Sequence, residues 1–423
     1  MEKKIMEALR ALEIPVYSIV KEQRSTAELF FIRRQLDMRR MKDVTEYTVY
    51  VYHDFAEGEK KYRGSAKVLL FPGMEQKDIF KTLEEAYCAA GHVKNDFYEL
   101  YAGPQAPFEE VASTLSGRSL TRNAEEMAKA LFAADNRKDA FLNSAELFVQ
   151  RKETKICNSL GTDVSYGQYS VSGEFVAQSK EPQDVEQYFS FRYEGLDTQA
   201  LTEKVRRALD TVRDRAHARK APKAGVYDVV LSGEHVYTLL DLYVARTNAS
   251  QLYPGYSDWK KGVQTQGAAL TGEGLNLTLV PSAPYSWDGV PMKERLLLKE
   301  GQVQCLHGPT RFCRYMGEEP VGEYRRVRLD NGTVPFEQMK KGCLYPVSFS
   351  DFQLDVFSGY FGGEIRLAYL YTDKGVEKLT GGSISGSLLE KQGSLTFSLE
   401  RYQDAGYEGP LAVRIPGVSV NGK

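Results

Sequence analysis

The sequence predicts an α+β fold: an N-terminal sheet backed by helices, then a C-terminal β-rich half with mostly antiparallel strands. Three observations lead there. Apolar residues recur at helical spacing in four segments before residue 221, each next to alternating, strand-like runs. Beyond "APKAG" (Ala221 to Gly225) only one short helical stretch remains, among runs punctuated by Gly and Tyr. The composition, 42% apolar and 26% charged, is that of a chain that folds. At 423 residues it exceeds what one core usually organises. Two domains are therefore expected, 1–222 and 223–423, divided at "APKAG".

The elements follow in order. "EKKIMEALRAL" sets Ile5, Leu9 and Leu12 on one helical face, with Ala8 beside them. "AELFFIRRQLDMRRM" and "EYTVYVYHDF" are rich in β-branched and aromatic residues and read as neighbouring antiparallel strands. "SAKVLLF" is a third strand, stopped by Pro72-Gly73, and "EQKDIFKTLEEAYCAAG" a helix with Ile79, Leu83 and Tyr87 spaced by four. In "TRNAEEMAKALFAAD", Asn123 and Glu126 have capping-box spacing ahead of Met127 and Leu131. The stretch beginning at Ala145 alternates as a meander, with Asn158, Gly161, Gly167 and Gly173 as punctuation. "DTQALTEKVRRALDTVRDRAHARK" then carries Leu201, Val205, Leu209 and Val212 along one face. After the boundary come a helix around Tyr237 to Arg246, a hairpin turning at Asp373-Lys374-Gly375, and a strand "GSLTFSLERY".

A formal charge of −2 offers no global field to draw phosphate backbones or anionic lipid, so neither nucleic acid nor membrane is expected as a partner. The basic run Arg206 to Lys223 reads as a solvated helix end that complements the dipole. No signal-type or membrane-spanning apolar stretch is visible, and the expectation is a cytoplasmic protein. Five cysteines without CxxC spacing suit reduced thiols.

Several stretches resemble the TldD/PmbA family. "GCLYPVSFSDFQLDVFSGYFGGEIRLAYLYTDKGVEKLTGGSISGSLLE" is similar to its closing block, through Gly342 to Leu344, Ser358-Gly359, Gly375 and Ile384 to Leu388. "YEGPLAVRIPGVSVNGK" is similar to the PmbA-type (TldE) ending, and the opening strand pair is similar more weakly. Active members of the family resemble one another at a His-Glu-x-x-x-His helix, with a late cysteine completing a zinc site. Three ligands, an open position and a glutamate base are what a metallopeptidase needs to activate water. In register with "VYDVVLSG", that helix falls on "LLDLYVAR": Asp241 stands at the first histidine, Leu242 at the glutamate and Arg246 at the second histidine. Leucine takes no proton and a guanidinium binds no zinc. No cysteine follows Cys343. The resemblance therefore implies a chain without catalytic residues, metal or cofactor of its own, zinc being expected only in a catalytic partner.

Val236, Leu239, Leu240 and Tyr243 read as core. Asp241 and Arg246, about 140° apart on an ideal helix, read as separately solvated. "CLHGPTRFC" brings Cys305, His307 and Cys313 together in sequence but reads as a β-hairpin with incidental thiols. His235, Cys305 and His307 form the alternative metal set of a divergent peptidase. "FSGYFGGEI" offers Ser358, Gly359, Gly362 and Gly363 either as an edge strand that receives an extended peptide or as a bulge or turn.

The functional expectation is a non-catalytic, PmbA/TldE-like subunit that pairs with a TldD-type zinc peptidase, or forms a homodimer, in peptide maturation or degradation. The alternatives are a divergent active metallopeptidase and a regulatory binding protein, the family also having been described as modulators of DNA gyrase.

Overall fold

The N-terminal half is built on one long-stranded sheet, its strands kept long by continuous antiparallel pairing. The computed structural model describes residues 1–422. In chain order this half comprises α1 (Glu2–Ala11), β1 (Val16–Ile32), β2 (Gln35–Glu57), β3 (Lys60–Leu70), α2 (Gln76–Ala90), β4 (Glu109–Glu110), α3 (Leu120–Ala133), β5 (Phe141–Asn158), β6 (Asp163–Ser179), β7 (Val185–Tyr193) and α4 (Thr198–His217). The sheet runs β3-β2-β1-β5-β6-β4, with β7 also on β6. Odd-numbered residues of β1 and β5 (Ile19, Ala27, Leu29, Leu147, Val149) turn to one face. There α1 and α2 cover one end of the strands and α3 and α4 the other. The opposite face carries Ser18, Val20, Glu22 and Arg24 and meets the C-terminal half. Among the described residues the segment of β2 before Glu46 pairs only with β1, so its outer edge has no neighbouring strand there.

The C-terminal half comprises β8 (Gly225–Ser232), α5 (Glu234–Arg246), α6 (Ala249–Leu252), β9 (Leu277–Val280), β10 (Arg295–Lys299), β11 (Gln302–Val303), α7 (Thr310–Tyr315), β12 (Arg326–Leu329), α8 (Phe336–Met339), β13 (Leu344–Leu354), β14 (Tyr360–Thr372), β15 (Gly375–Leu379), β16 (Ser383–Ser387), α9 (Leu388–Lys391), β17 (Thr396–Phe397), β18 (Arg401–Gln403), β19 (Tyr407–Pro410) and β20 (Ala412–Asn421). One sheet runs β11-β10-β9-β12-β19-β18. The other runs β13-β8-β20-β16-β14-β15, and β13 also pairs with β14, which closes the sheet on itself. A single apolar cluster, from Val229 and Leu239 to Phe361 and Val420, joins both sheets to α5.

The halves meet through specific contacts. Asp214 of α4 accepts hydrogen bonds from Tyr369 (2.7 Å) and Lys378 (2.9 Å), Gln187 accepts from Ser348 (2.8 Å), and Tyr50 packs on Trp287 with ring centroids 4.6 Å apart. Among the described residues no helix is long and apolar enough to cross a membrane.

The structure corrects several local readings. "AELFFIRRQLDMRRM" is not one strand: it turns at Arg33-Arg34, with Arg33 at φ +56, so the first strand begins earlier, at Val16. Helix α3 is capped by Ser119, whose hydroxyl accepts from the Arg122 N–H, and not by Asn123. Asn123 lies wholly buried in the helix and donates to the Leu115 carbonyl (2.8 Å). Gly167 and Gly173 do not break the meander. They lie inside β6, where a Cβ on Gly173 would meet the Glu146 carbonyl and the Phe191 ring. "CLHGPTRFC" is not a hairpin, because Thr310 to Tyr315 form a helix that carries Cys313. "GSLTFSLERY" is divided between a 3-10 turn, β17 and β18.

Candidate functional site: the degenerate helix and the groove beside it

Helix α5 is launched from β8 through Gly233, at φ +62 and ψ −126, a conformation open to glycine. The Gly233 N–H donates to the Leu411 carbonyl (2.9 Å), fixing the turn to the residue that joins β19 to β20. One face of the helix buries Val236, Leu239, Leu240 and Tyr243, as expected from their spacing. Leu242 is also fully buried, so the position held by a glutamate in the resembling motif is here part of the core.

Asp241 and Arg246 do not meet, and neither is simply solvated. Burial pushes the Asp241 carboxyl up to about 6. Its charge in turn helps burial raise the neighbouring Tyr237 phenol to about 12. Arg246 donates to the Phe357 carbonyl (2.9 Å), approaches Asp258 (3.4 Å) and sits 5.0 Å above the Trp259 ring. With its side chain only 13% exposed, it acts as a strut between α5 and two loops.

The alternative metal set is not assembled. His235, at the start of α5, is wedged between the rings of Phe349 (4.9 Å) and Phe352 (5.1 Å), and its Nδ1 lies 3.1 Å from the Ser232 carbonyl. Burial lowers its pKa. His307 belongs to the other end of the helix: its Nε2 lies 2.8 Å from the Val244 carbonyl, and its Nδ1 is 3.4 Å from the Tyr324 N–H. Val244 lies nine residues after His235, or about 13 Å along a helix. His307 is fully buried, its pKa pulled down to about 4 by loss of hydration. The Cys305 thiol is raised by burial, the opposite of an activated ligand. Among the described residues no three His, Cys, Asp or Glu side chains are grouped as metal ligands.

The "FSGYFGGEI" segment is not an edge strand. Gly362 and Gly363 pair with Gln353 and Phe352 on one side and with Ser385 and Ile384 on the other. The glycines answer local crowding, since a Cβ on Gly363 would lie 2.5 Å from the Asp351 carbonyl, and Gly359 turns at φ +70. The Ser358 hydroxyl donates to Asp355 (2.6 Å) within that turn. Gly362 and Gly363 floor a shallow cleft of about 530 Å³, on a sheet face whose backbone is already paired.

Sequence reasoning missed a larger groove of about 770 Å³ between the two halves. Tyr237 of α5 reaches it and donates to the Arg325 carbonyl (2.7 Å). Lys152, Arg192, Arg325 and Arg326 line it, with Glu109 and Glu194 among them and Arg326 paired to Glu194. Pro281, Pro284 and Tyr285 form one wall. Such a volume lies in the range of ligand clefts, and its mixture of cations and apolar wall suits a short extended peptide.

Helix α5 is thus launched from a closed sheet beside a cleft between two α+β halves, with Asp241 and Leu242 in its second half and Arg246 at its last position. Residues 224–422, the C-terminal half, match the family model described as PmbA/TldA metallopeptidase C-terminal domain. The fold of the chain is shared with TldE from Thermococcus kodakarensis (TM-score 0.77, 15% identity, covering 99% of this chain and 100% of that one). It is shared equally with a protein described as a modulator of a DNA gyrase from Thermotoga maritima (TM-score 0.77, 15% identity, 99% of each chain). A similarly described protein from Bacteroides thetaiotaomicron is also alike (TM-score 0.76, 15% identity, 100% and 99%). No curated protein matches the sequence.

Proposed function

We propose that this chain is a non-catalytic, TldE-like subunit that assembles with a TldD-type zinc peptidase and contributes the groove beside α5 as part of the peptide path. The observation that carries this reading is Leu242. At the position where the resembling motif has its glutamate, the side chain is apolar and fully buried, with Asp241 and Arg246 beside it in the histidine positions. A leucine in the core can neither bind metal nor move a proton. A pair of related chains about a pseudo-twofold axis uses similar patches on each, so one copy can shed its chemistry and still wall a shared chamber. Zinc, on this reading, belongs to the partner.

The test is peptide hydrolysis by this chain alone, by a catalytic relative carrying His-Glu-x-x-x-His alone, and by their mixture. This chain alone should be inactive and the mixture faster than the relative. Equal rates with and without this chain would defeat the proposal, and zinc-dependent cleavage by this chain alone would restore the divergent-peptidase reading.

A further inference from the structure

A second cavity lies apart from α5, on the face of the N-terminal sheet that turns away from α1 and α2. Its floor is set by strand register. Ser18 of β1 faces Tyr50 of β2 and Asn158 of β5, and Tyr52 of β2 faces Ser65 of β3, so all five side chains rise from one face. A sheet face roofed by another layer is normally filled with apolar side chains. Here two serines stand beside two tyrosines and leave a hollow of about 240 Å³. Tyr98 and Tyr101 close one side, while Trp287 and Phe312 come from the C-terminal half.

The hollow has both a ring-shaped lining and a polar demand. Trp287 is held over Tyr50 at 4.6 Å between ring centroids. The Ser18 hydroxyl is buried, in a residue only 4% exposed, and has no hydrogen-bond partner among the described residues. A native fold seldom leaves such a group unsatisfied. At the rim Asp288 is already occupied by the Ser286 and Thr310 hydroxyls, and Arg311 donates to Asn95 (2.8 Å). The charged groups are thus engaged with protein, and the unfilled capacity is aromatic surface plus hydroxyls, that of Ser18 the one wholly buried. A dry cavity of roughly 150 Å³ takes a benzene ring. This one has room for a ring and a substituent.

We propose that this cavity binds an aromatic ring of phenol or indole size, its OH or NH hydrogen-bonded to Ser18 and its face stacked against the Tyr50–Trp287 pair. The ring comes from a free aromatic amino acid or from an aromatic residue of a peptide. The site is independent of the proposed pairing and bridges both halves of the chain.

Calorimetric titration of the full chain with p-cresol, toluene, L-tyrosine and a capped Ala-Ala-Tyr-Ala-Ala peptide tests it. One saturable site per chain is expected, with p-cresol bound more tightly than toluene. Ser18→Ala should weaken p-cresol by about twofold to tenfold and leave toluene unchanged. Trp287→Ala, at a residue 40% exposed and so tolerant of change, should weaken all the rings by about fivefold while the circular dichroism stays the same. L-tyrosine binding more tightly than the peptide assigns the ring to a free amino acid, and the reverse order to a peptide side chain. Absence of saturable binding, binding insensitive to Trp287→Ala, or equal affinity for toluene and p-cresol would overturn the proposal and leave Ser18 to ordered water.

Discussion

His307 shows what burial does to a single titratable group. Its ring is enclosed between α5 and Tyr324, both nitrogens face backbone partners, and its pKa falls from 6.5 to about 4. The folded state thus holds the ring neutral while the unfolded chain protonates it near 6.5, and stability is complete above that value and lost as pH falls toward 4. The loss attributable to this one residue should approach about 3 kcal/mol. Denaturant midpoints should drop steadily between pH 7 and 4.5, and a His307→Gln variant, weaker at pH 7, should show a shallower decline. Little of this was legible in sequence. "CLHGPTRFC" displayed metal-ligand residue types, but the carbonyl that holds the ring comes from Val244, 63 residues upstream. Leu242 was the opposite case: a change of residue type alone removes a base, and no neighbour is needed to see it.

At the scale of the element, α5 sets a carboxylate in an apolar setting. Asp241 has its pKa raised from 3.8 to about 6, so ionisation opposes folding. The protein keeps its full stability while the group is protonated, below 3.8, and loses that share as pH rises through 6. Asp241→Asn should therefore stabilise the fold at pH 7.5 by about 1–3 kcal/mol and have almost no effect at pH 3.5, as read from thermal or urea unfolding. Leu242→Glu should do the reverse, costing several kcal/mol at pH 7.5 because an unpaired carboxylate would enter the core. A Leu242→Glu variant as stable as the parent would show that the position is open, against the buried reading. Helices with a clear apolar stripe were legible in the sequence, α1 and α2 within a residue and α4 within three. Strand ends were not. β1 begins at Val16 and turns at Arg33-Arg34 because its pairing with β2 and β5 continues past the most hydrophobic run, through polar residues that carry no signal alone.

For the whole molecule we propose a division in the segment from Ala221 to Gly225. Helix α4 ends at His217, and Lys223 to Val226 are exposed. Brief tryptic digestion should cut first after Lys220 or Lys223 and yield two resistant pieces. A first cut near residue 100 or 320 would refute it. The pieces should stay associated until the Asp214 contacts are broken. Burial works against ionisation there, but hydrogen bonds from Lys378, Tyr369 and Arg213 outweigh it and lower the carboxyl pKa. The groove and the aromatic hollow were illegible in the sequence for the same reason. Each draws its walls from both halves, and no local pattern records which loop of one half will lie on which strand face of the other.

The pairing of β13 with both β8 and β14 has a further consequence. An open sheet frays from its outermost strands, whereas a closed one must break a ladder in its middle before any of those strands can leave. β8, which launches α5, has partners on both sides, β20 and β13. Amide hydrogens of Val229 to Leu231 should then exchange with deuterium only on the time scale of global unfolding. Those along the unpaired edge of β2, around Met38 to Lys42, should exchange within the first moments. The helix that carries Asp241, Leu242 and Arg246 is thus anchored to a strand held on both sides, so substitutions along α5 should alter its own surface without loosening the frame beneath it.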